Sequence, residues 1–459
     1  MAGAVLTTSS AITLIGFWLF DLVSGGTVHP YVGLIFYLVL PGILVIGLLL
    51  MPVGMLWRRS QLRKRGELAE VYPKADFSRE SIRKMFGWVA GLTVVNVILF
   101  SVGSYRGVEY MDSVRFCGTT CHTVMQPEFT AYQNSPHQRV ACVQCHIGPG
   151  ASWFVRSKLS GVYQVYAVTF HTYDRPIPVP VQNLRPAGET CEQCHWPQLF
   201  TGNRLEVIRK FDEDEKNTEK TTVLLVKIGG LSEGQAIGIH GRHLDTDRSI
   251  EYVAIDHERE NIAQVSFMND QGKRVTFTQS QPKPSATQLA SGESRTMDCI
   301  DCHNRPAHTL QLPGRALDEA MAQGVISPEL PYIKKQALAA LQVQYPDRDA
   351  ATRQIAGRLN DFYRQSYPAI YRDKQALLQA SISQVQAVYL RNVFPAMKVK
   401  WGTYPNNLGH TDFPGCFRCH DGNHTSADGQ TIPNDCDTCH TLLAVEEQNP
   451  KVLAALGIK

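Results

Sequence analysis

The stretch from Phe116 to His146, FCGTTCHTVMQPEFTAYQNSPHQRVACVQCH, holds two cysteine–histidine motifs directly after an apolar segment. Cys142-x2-Cys145-His146 has the attachment pattern of a c-type haem. Two thiols one helical turn apart form the thioethers, and the adjacent histidine takes an axial position on the iron. Cys117-x3-Cys121-His122 is the same pattern widened by one residue. Four more copies follow: Cys191/Cys194-His195, Cys299/Cys302-His303, Cys416/Cys419-His420 and Cys436/Cys439-His440. Together they use all 12 cysteines. Neither a disulfide framework nor zinc ribbons would place histidine after every second cysteine. The pattern predicts six covalently attached c-type haems.

Each iron needs a second axial ligand, and eight histidines outside the motifs lie beyond residue 104: His137, His171, His240, His243, His257, His308, His410 and His424. The supply fits a mainly bis-histidine protein. His308 and His424 follow their own motif histidines too closely to reach the opposite face of the same iron, so each is expected to serve a neighbouring haem. His137 and His410, just ahead of the second and fifth motifs, are candidates, as is His171. Of the pair in GIHGRH, one is expected to ligate, with His240 preferred over His243. His257, between Asp256 and Glu258, reads as a surface residue. At the first motif the wider loop leaves two candidates, His122 and Met125, and methionine would raise the potential relative to bis-histidine.

Upstream lie three apolar segments, at 5–25, 31–57 and 85–104. All three are spanning candidates; the first is the weakest, with polar Thr and Ser at its start and Asp21 near its end, and the second is long enough for a tilted span. Pro41 and Pro52 are expected to kink the second. The N-terminus lacks the basic region of a cleavable signal peptide. Between the second and third segments, residues 58–84 carry nine Lys/Arg against four Asp/Glu. By the positive-inside rule this loop is cytoplasmic. The N-terminus is then cytoplasmic too, and everything after residue 104 lies in the periplasm of a bacterial inner membrane. Covalent haem is attached on that side, so two independent signals agree. The net charge of +3 averages this basic loop with an acidic remainder and gives no support to nucleic-acid binding.

The expected organisation is two transmembrane helices (1–58), a basic loop (59–84) and a third helix (85–104). A haem domain with three motifs (105–203) precedes a β-rich insert and loop (204–297), read as one sheet. Residues 298–459 hold the fourth motif, a helical region over 314–394 and the last two motifs, ending in a weakly helical tail. The fold class is a multihaem cytochrome c: three N-terminal transmembrane helices and a mainly α, haem-packed domain with a small β insert.

A membrane helix followed at once by Cys-His-x-x-Met, then a histidine ahead of the second Cys-x-x-Cys-His, resembles the NapC/NirT/NrfH membrane-anchored cytochromes. The resemblance covers roughly residues 85–200 and implies oxidation of quinol, menaquinol in particular, with transfer to a periplasmic redox protein or terminal reductase. It also implies that Met125 can ligate the first haem and that Lys158, in WFVRSKLSG, lies at the quinol site. The acidic residue that follows this lysine in the family has no counterpart here, where Gln164 and Val165 stand. The chain differs further in its three spans, six motifs and long C-terminal part. This looks like the larger inner-membrane members of the family found in anaerobic respiration.

Lys158 has a second reading, as an interfacial lysine whose stem lies along apolar surface. Asp21 and His29, near the outer membrane surface, are candidates to shape the pocket or relay a proton. Two other functions compete with quinol oxidation. A passive electron conduit would be fed by another membrane subunit docked on the extra helices. A terminal reductase would need an iron with an open position, and no Cys-x-x-Cys-Lys motif is present.

Overall fold

A computed structural model describes residues 2–24, 32, 35–67, 77–181, 184–196, 202–232, 235–245, 249–269 and 271–458. Three N-terminal helices are long and apolar enough to cross a membrane: the helices Ala2–Ser24, Leu40–Lys64 and Glu80–Met111. The latter two extend past the apolar segments read from sequence, because Arg, Lys and Glu at their ends are good helix formers. At 32 residues, Glu80–Met111 is roughly 48 Å long, which exceeds the hydrocarbon thickness. Pro41 stands at the start of the α-helix, directly after the π-helical segment Ile35–Val39. Pro52 lies within the helix. The first two helices cross at small residues. A Cβ on Gly47 would stand 2.6 Å from the Thr7 hydroxyl oxygen, and one on Gly3 would stand 2.7 Å from the Gly47 carbonyl. Small residues at such a crossing let backbones approach where lipid offers no hydrophobic drive.

A second compact unit holds most of the remaining chain. Its largest core is helical, built from Pro313–Ala322, Ile333–Leu341, Arg348–Ser366 and Gln375–Asn392. Leu317, Ile333, Leu341, Ile355, Leu359, Tyr363 and Leu378 are fully buried there. Pro368 opens the next helix, Pro368–Asp373, and Asp347 caps Arg348–Ser366 by accepting from Ala350 N–H.

The β region is three sheets rather than one. Strands β1 (Arg204–Phe211) and β2 (Glu219–Val226) form a sheet completed by a distant strand, β10 (His440–Glu447). Strands β3 (Gly230–Ser232) and β4 (Gln235–Ile237) form a hairpin. The third sheet runs in the order β8-β5-β6-β7-β9: Glu293–Thr296, Glu251–Ala254, Ile262–Met268, Arg274–Gln279 and His424–Ser426. The expected helical tail thus begins as a strand. Its Thr-Leu-Leu-Ala-Val run is better matched to a pleated surface, and it pairs antiparallel with β2.

A buried ion pair joins β1 to the helical core. Lys334 Nζ lies 2.5 Å from Asp318 Oδ1 and donates to Gly314 O at 2.8 Å, while Asp318 also accepts from Phe211 N–H at 2.9 Å. Removing one partner of a buried pair leaves the other charge uncompensated. Asp318→Ala is therefore expected to cost about 3–5 kcal/mol, read as a lower midpoint in denaturant melts followed by far-ultraviolet circular dichroism. An unchanged midpoint would show that the pair contributes nothing.

Candidate haem centres

The motif cysteines sit on short helical turns. Cys142–His146, Cys299–Cys302 and Cys436–Cys439 are single α-turns, and Gly415–Arg418 is a 3-10 turn around Cys416. No two of the 12 cysteines are joined in a disulfide. The turn of the fourth motif is held by a capping box between Asp298 and Asp301. Arg418, inside the fifth motif, reaches back to it and donates to Asp301 O at 2.6 Å.

Five of the motif histidines each face a second histidine. His146 faces His308 with ring centroids 6.1 Å apart, and His195 faces His137 at 6.0 Å. His303 faces His240 at 6.3 Å, His420 faces His243 at 5.9 Å and His440 faces His410 at 6.2 Å. Two imidazoles on opposite sides of one metal, with metal–nitrogen bonds of about 2 Å, put their centroids roughly 6 Å apart. The residues therefore fit haem with two axial histidines. Among the described residues, no group of three or more His, Cys, Asp or Glu is placed to hold a metal ion without such a macrocycle.

The hydrogen bonds of these rings agree with that fit. Nδ1 lies beside a backbone carbonyl in His137 (Pro306, 3.2 Å), His243 (Ile239, 2.7 Å), His308 (Glu128, 3.0 Å) and His420 (Pro433, 2.6 Å). A proton on Nδ1 satisfies the carbonyl and leaves the Nε2 lone pair for a metal. Burial holds the half-buried His240 and His243 below the usual imidazole range, which favours the neutral ring that a metal binds. Burial also raises the Cys121 thiol and pushes Cys302 and Cys419 up to about 12. Such a site disfavours a thiolate and suits a neutral thioether.

At four of the six motifs, the third among them, one cysteine is exposed. Cys194 is exposed, whereas its motif partner Cys191 is half-buried. Cys191 ends the short helix Ala187–Cys191, and the chain then turns outward, with Cys194 N–H donating to Cys191 O at 3.1 Å. The polypeptide therefore shields one of the two predicted attachment thiols and leaves the other at the surface. Cys145, Cys416 and Cys436 are exposed in the same way. Burial by the chain is thus no mark of an attachment cysteine here.

Sequence similarity supplies the family. The model of the NapC/NirT cytochrome c family, N-terminal region, matches residues 79–178. Cytochrome c-type protein ImcH of Geobacter sulfurreducens is 40% identical over 452 residues, covering 98% of this chain and 88% of that protein. The chain belongs to the NapC/NirT family of membrane cytochromes c. Cytochrome c-type protein NrfH of Wolinella succinogenes is 27% identical over 104 residues, covering 22% of this chain and 58% of NrfH. No solved structure matches. As a family member the protein is a membrane-anchored multihaem cytochrome c that carries electrons.

Three readings of the histidines require correction. His424 is buried in β9, with Nδ1 2.9 Å from Asp421 Oδ1 and Nε2 2.8 Å from Ile262 O. Both nitrogens face acceptors, so neither offers a lone pair to iron. His171 is exposed and left-handed (φ 54°) just beyond the Ala151–Thr169 helix, and it faces Tyr173 instead of a motif histidine. In GIHGRH both histidines, not one, face motif rings. His257 is exposed, as expected.

The other candidates lie as follows. His122 begins the helix His122–Gln133 and is exposed, and Met125, one turn on in that helix, is half-buried. Lys158 is half-buried, with Nζ 4.7 Å from the centroid of the Phe154 ring. Asp21 lies in the first helix with its side chain outside what the structure describes, and His29 lies outside the described residues.

A cluster missed in the sequence braces the His308 segment. Arg305 is buried, grips both oxygens of Glu128 at 3.0–3.1 Å, donates to His308 O at 2.7 Å and lies 4.3 Å over the Tyr404 ring. Its only signal in the sequence is proximity to the fourth motif. The contrast between His308 and His424 is testable. His424→Leu is expected to lower stability by about 1–3 kcal/mol, through two lost hydrogen bonds, without changing the low-spin haem spectrum. His308→Leu should convert one haem to high spin. A high-spin signal in His424→Leu would reverse the assignment.

Proposed function

We propose that this cytochrome is a quinol dehydrogenase of the bacterial cytoplasmic membrane, with six covalent c-type haems and its haem domain in the periplasm. The observation that carries the reading is the row of five imidazole pairs, whose motif cysteines neighbour one another in chain order. The Cys191 side chain lies beside Cys299 and near Cys145, while Cys302 of the fourth motif and Cys439 of the sixth both lie near Cys416 of the fifth. Cys117 and Cys142, from the first two motifs, also lie beside each other. Neighbouring sites in this order make a path along which charge moves.

Covalently bound haem supplies one-electron chemistry, and quinol releases two electrons and two protons, so several close acceptors suit it. The five histidine pairs would hold haem iron from both sides, which would favour electron transfer over substrate chemistry there. His122 and Met125 are the candidates for the first iron.

The quinol end of the reading rests on the helix Ala151–Thr169 and the residue after it. Val155, Leu159, Val162, Tyr163, Tyr166 and Phe170 are each more than half exposed and recur at helical spacing along one stripe. The helix contains Arg156 and Lys158 but no acidic residue. An apolar stripe with basic flanks and aromatic residues is the pattern of a helix at a membrane surface, where a quinol head group is met. Lys158 then hydrogen-bonds the quinol oxygen. The electron acceptor is a periplasmic redox protein or terminal reductase.

The test is anaerobic stopped-flow mixing of oxidised, detergent-purified protein with a menaquinol analogue. Rapid growth of the reduced haem bands is expected, slowed about tenfold or more in Lys158→Ala, which corresponds to about 1.4 kcal/mol or more of lost transition-state stabilisation. If quinol fails where dithionite reduces readily, the protein is a conduit fed by another membrane subunit.

A further inference from the structure

We propose that the six-residue helix Gly238–His243 ligates two different irons, His240 serving that of the fourth motif and His243 that of the fifth. This rests on the multihaem reading above and goes beyond it by assigning a second job to the β insert, outside the region matched by the family model. The insert is a clamp that sets the spacing of two neighbouring haems.

Two residues three apart on a helix lie on one face, with Cβ atoms about 5–6 Å from each other. Their imidazoles nevertheless face separate partners, His303 and His420. Alternative ligands for these positions are already engaged. His410 faces His440, and His424 has both nitrogens hydrogen-bonded.

The helix is tied to the end of β2. Ile239 N–H donates to Lys227 O and His240 N–H to Ile228 O, each at 2.9 Å. Gly238 has φ +66°, and a Cβ there would meet Lys227 O at 2.6 Å, so only glycine permits this approach. The same strand end holds the sixth motif. Lys227 N–H donates to Cys439 O at 2.8 Å, and His440 stands opposite Val226 in the β2–β10 register. One corner of a sheet thus fixes ligands belonging to three motifs.

The test uses full-length holoprotein carrying His240→Met, His243→Met, both changes, or Gly238→Val. Haem content by pyridine haemochrome reports whether the multihaem reading stands, independently of ligation. Near-infrared magnetic circular dichroism counts bis-histidine and histidine–methionine centres. Each single methionine variant is expected to convert about one sixth of the total haem signal from bis-histidine to histidine–methionine, and the double variant twice that. Gly238→Val should disturb two centres together. An unchanged bis-histidine signal in His243→Met, or loss of only one centre in Gly238→Val, overturns the proposal. Should a methionine variant fail to assemble, His243→Gly supplies the second route, with one high-spin haem that added imidazole returns to low spin. No high-spin haem in that variant would likewise reject the assignment.

Discussion

Holding two imidazoles about 6 Å apart is the constraint on which the haem domain depends. Separated rings do not attract each other strongly enough to fix their own spacing, so the chain must do it. The backbone carbonyls of Pro306, Ile239, Glu128 and Pro433 orient four of the rings. Other contacts hold the segments that carry them. The Tyr132 hydroxyl donates to Gln138 O at 2.7 Å beside His137, and Ser135 Oγ accepts from His137 N–H. Arg305 does the equivalent work at His308, using a carboxylate, a carbonyl and an aromatic face at once. A buried guanidinium satisfied this fully is a positioning device, because replacing it would leave Glu128 without its countercharge.

Stability is distributed unevenly as a result. The four helices from Pro313 to Asn392 bury their apolar faces against one another. Residues 105–200 contribute far less to any core. Ala131 is their one buried member, among the described residues, of the small cluster around Phe394, Met397 and Tyr404. Covalent haem is a large apolar group, and in a multihaem chain it supplies the missing interior. An attachment thiol such as Cys194 can therefore stand at the surface of the polypeptide, because the cofactor it would hold is itself part of the packing. The helical core then folds by side-chain burial, while the surrounding loops take their final form around the cofactors.

The cysteine–histidine motifs were legible in the sequence because their pattern is local: two thiols and a histidine within five or six residues. The spanning segments were legible because length and apolarity are local too, although their charged ends hid the true helix boundaries. Distal ligands are a different problem. His146 and His308 lie far apart in the chain, and only the packed fold brings them together. His424 reads as a ligand by its distance from His420, but the Asp421 carboxylate and the β6 carbonyl have a prior claim. His243 is the less obvious of its pair because two histidines so close in sequence look redundant. On a single helical turn, however, residues i and i+3 can reach two adjacent sites. The tail beginning Thr-Leu-Leu-Ala-Val was legible as apolar, but a short apolar run does not declare helix or strand until a partner strand is known.

The pairing of β10 with β2 gives this long-range dependence a direction. Some 210 residues separate Lys227 from Asp437, whose carbonyl receives the lysine ammonium, and the sixth motif lies at the start of the closing strand. Until that strand is in place, His440 has no fixed orientation and β2 presents an unpaired edge. Closing so long a loop carries an entropic cost that grows only slowly with its length, but the contact forms only after the last segment exists. The β insert can therefore present His240 and His243 early, whereas the sites they complete depend on residues near positions 303 and 420. Ligand supply precedes haem attachment in the chain at the fourth and fifth motifs, and the insert has a reason to stand between the third motif and the fourth.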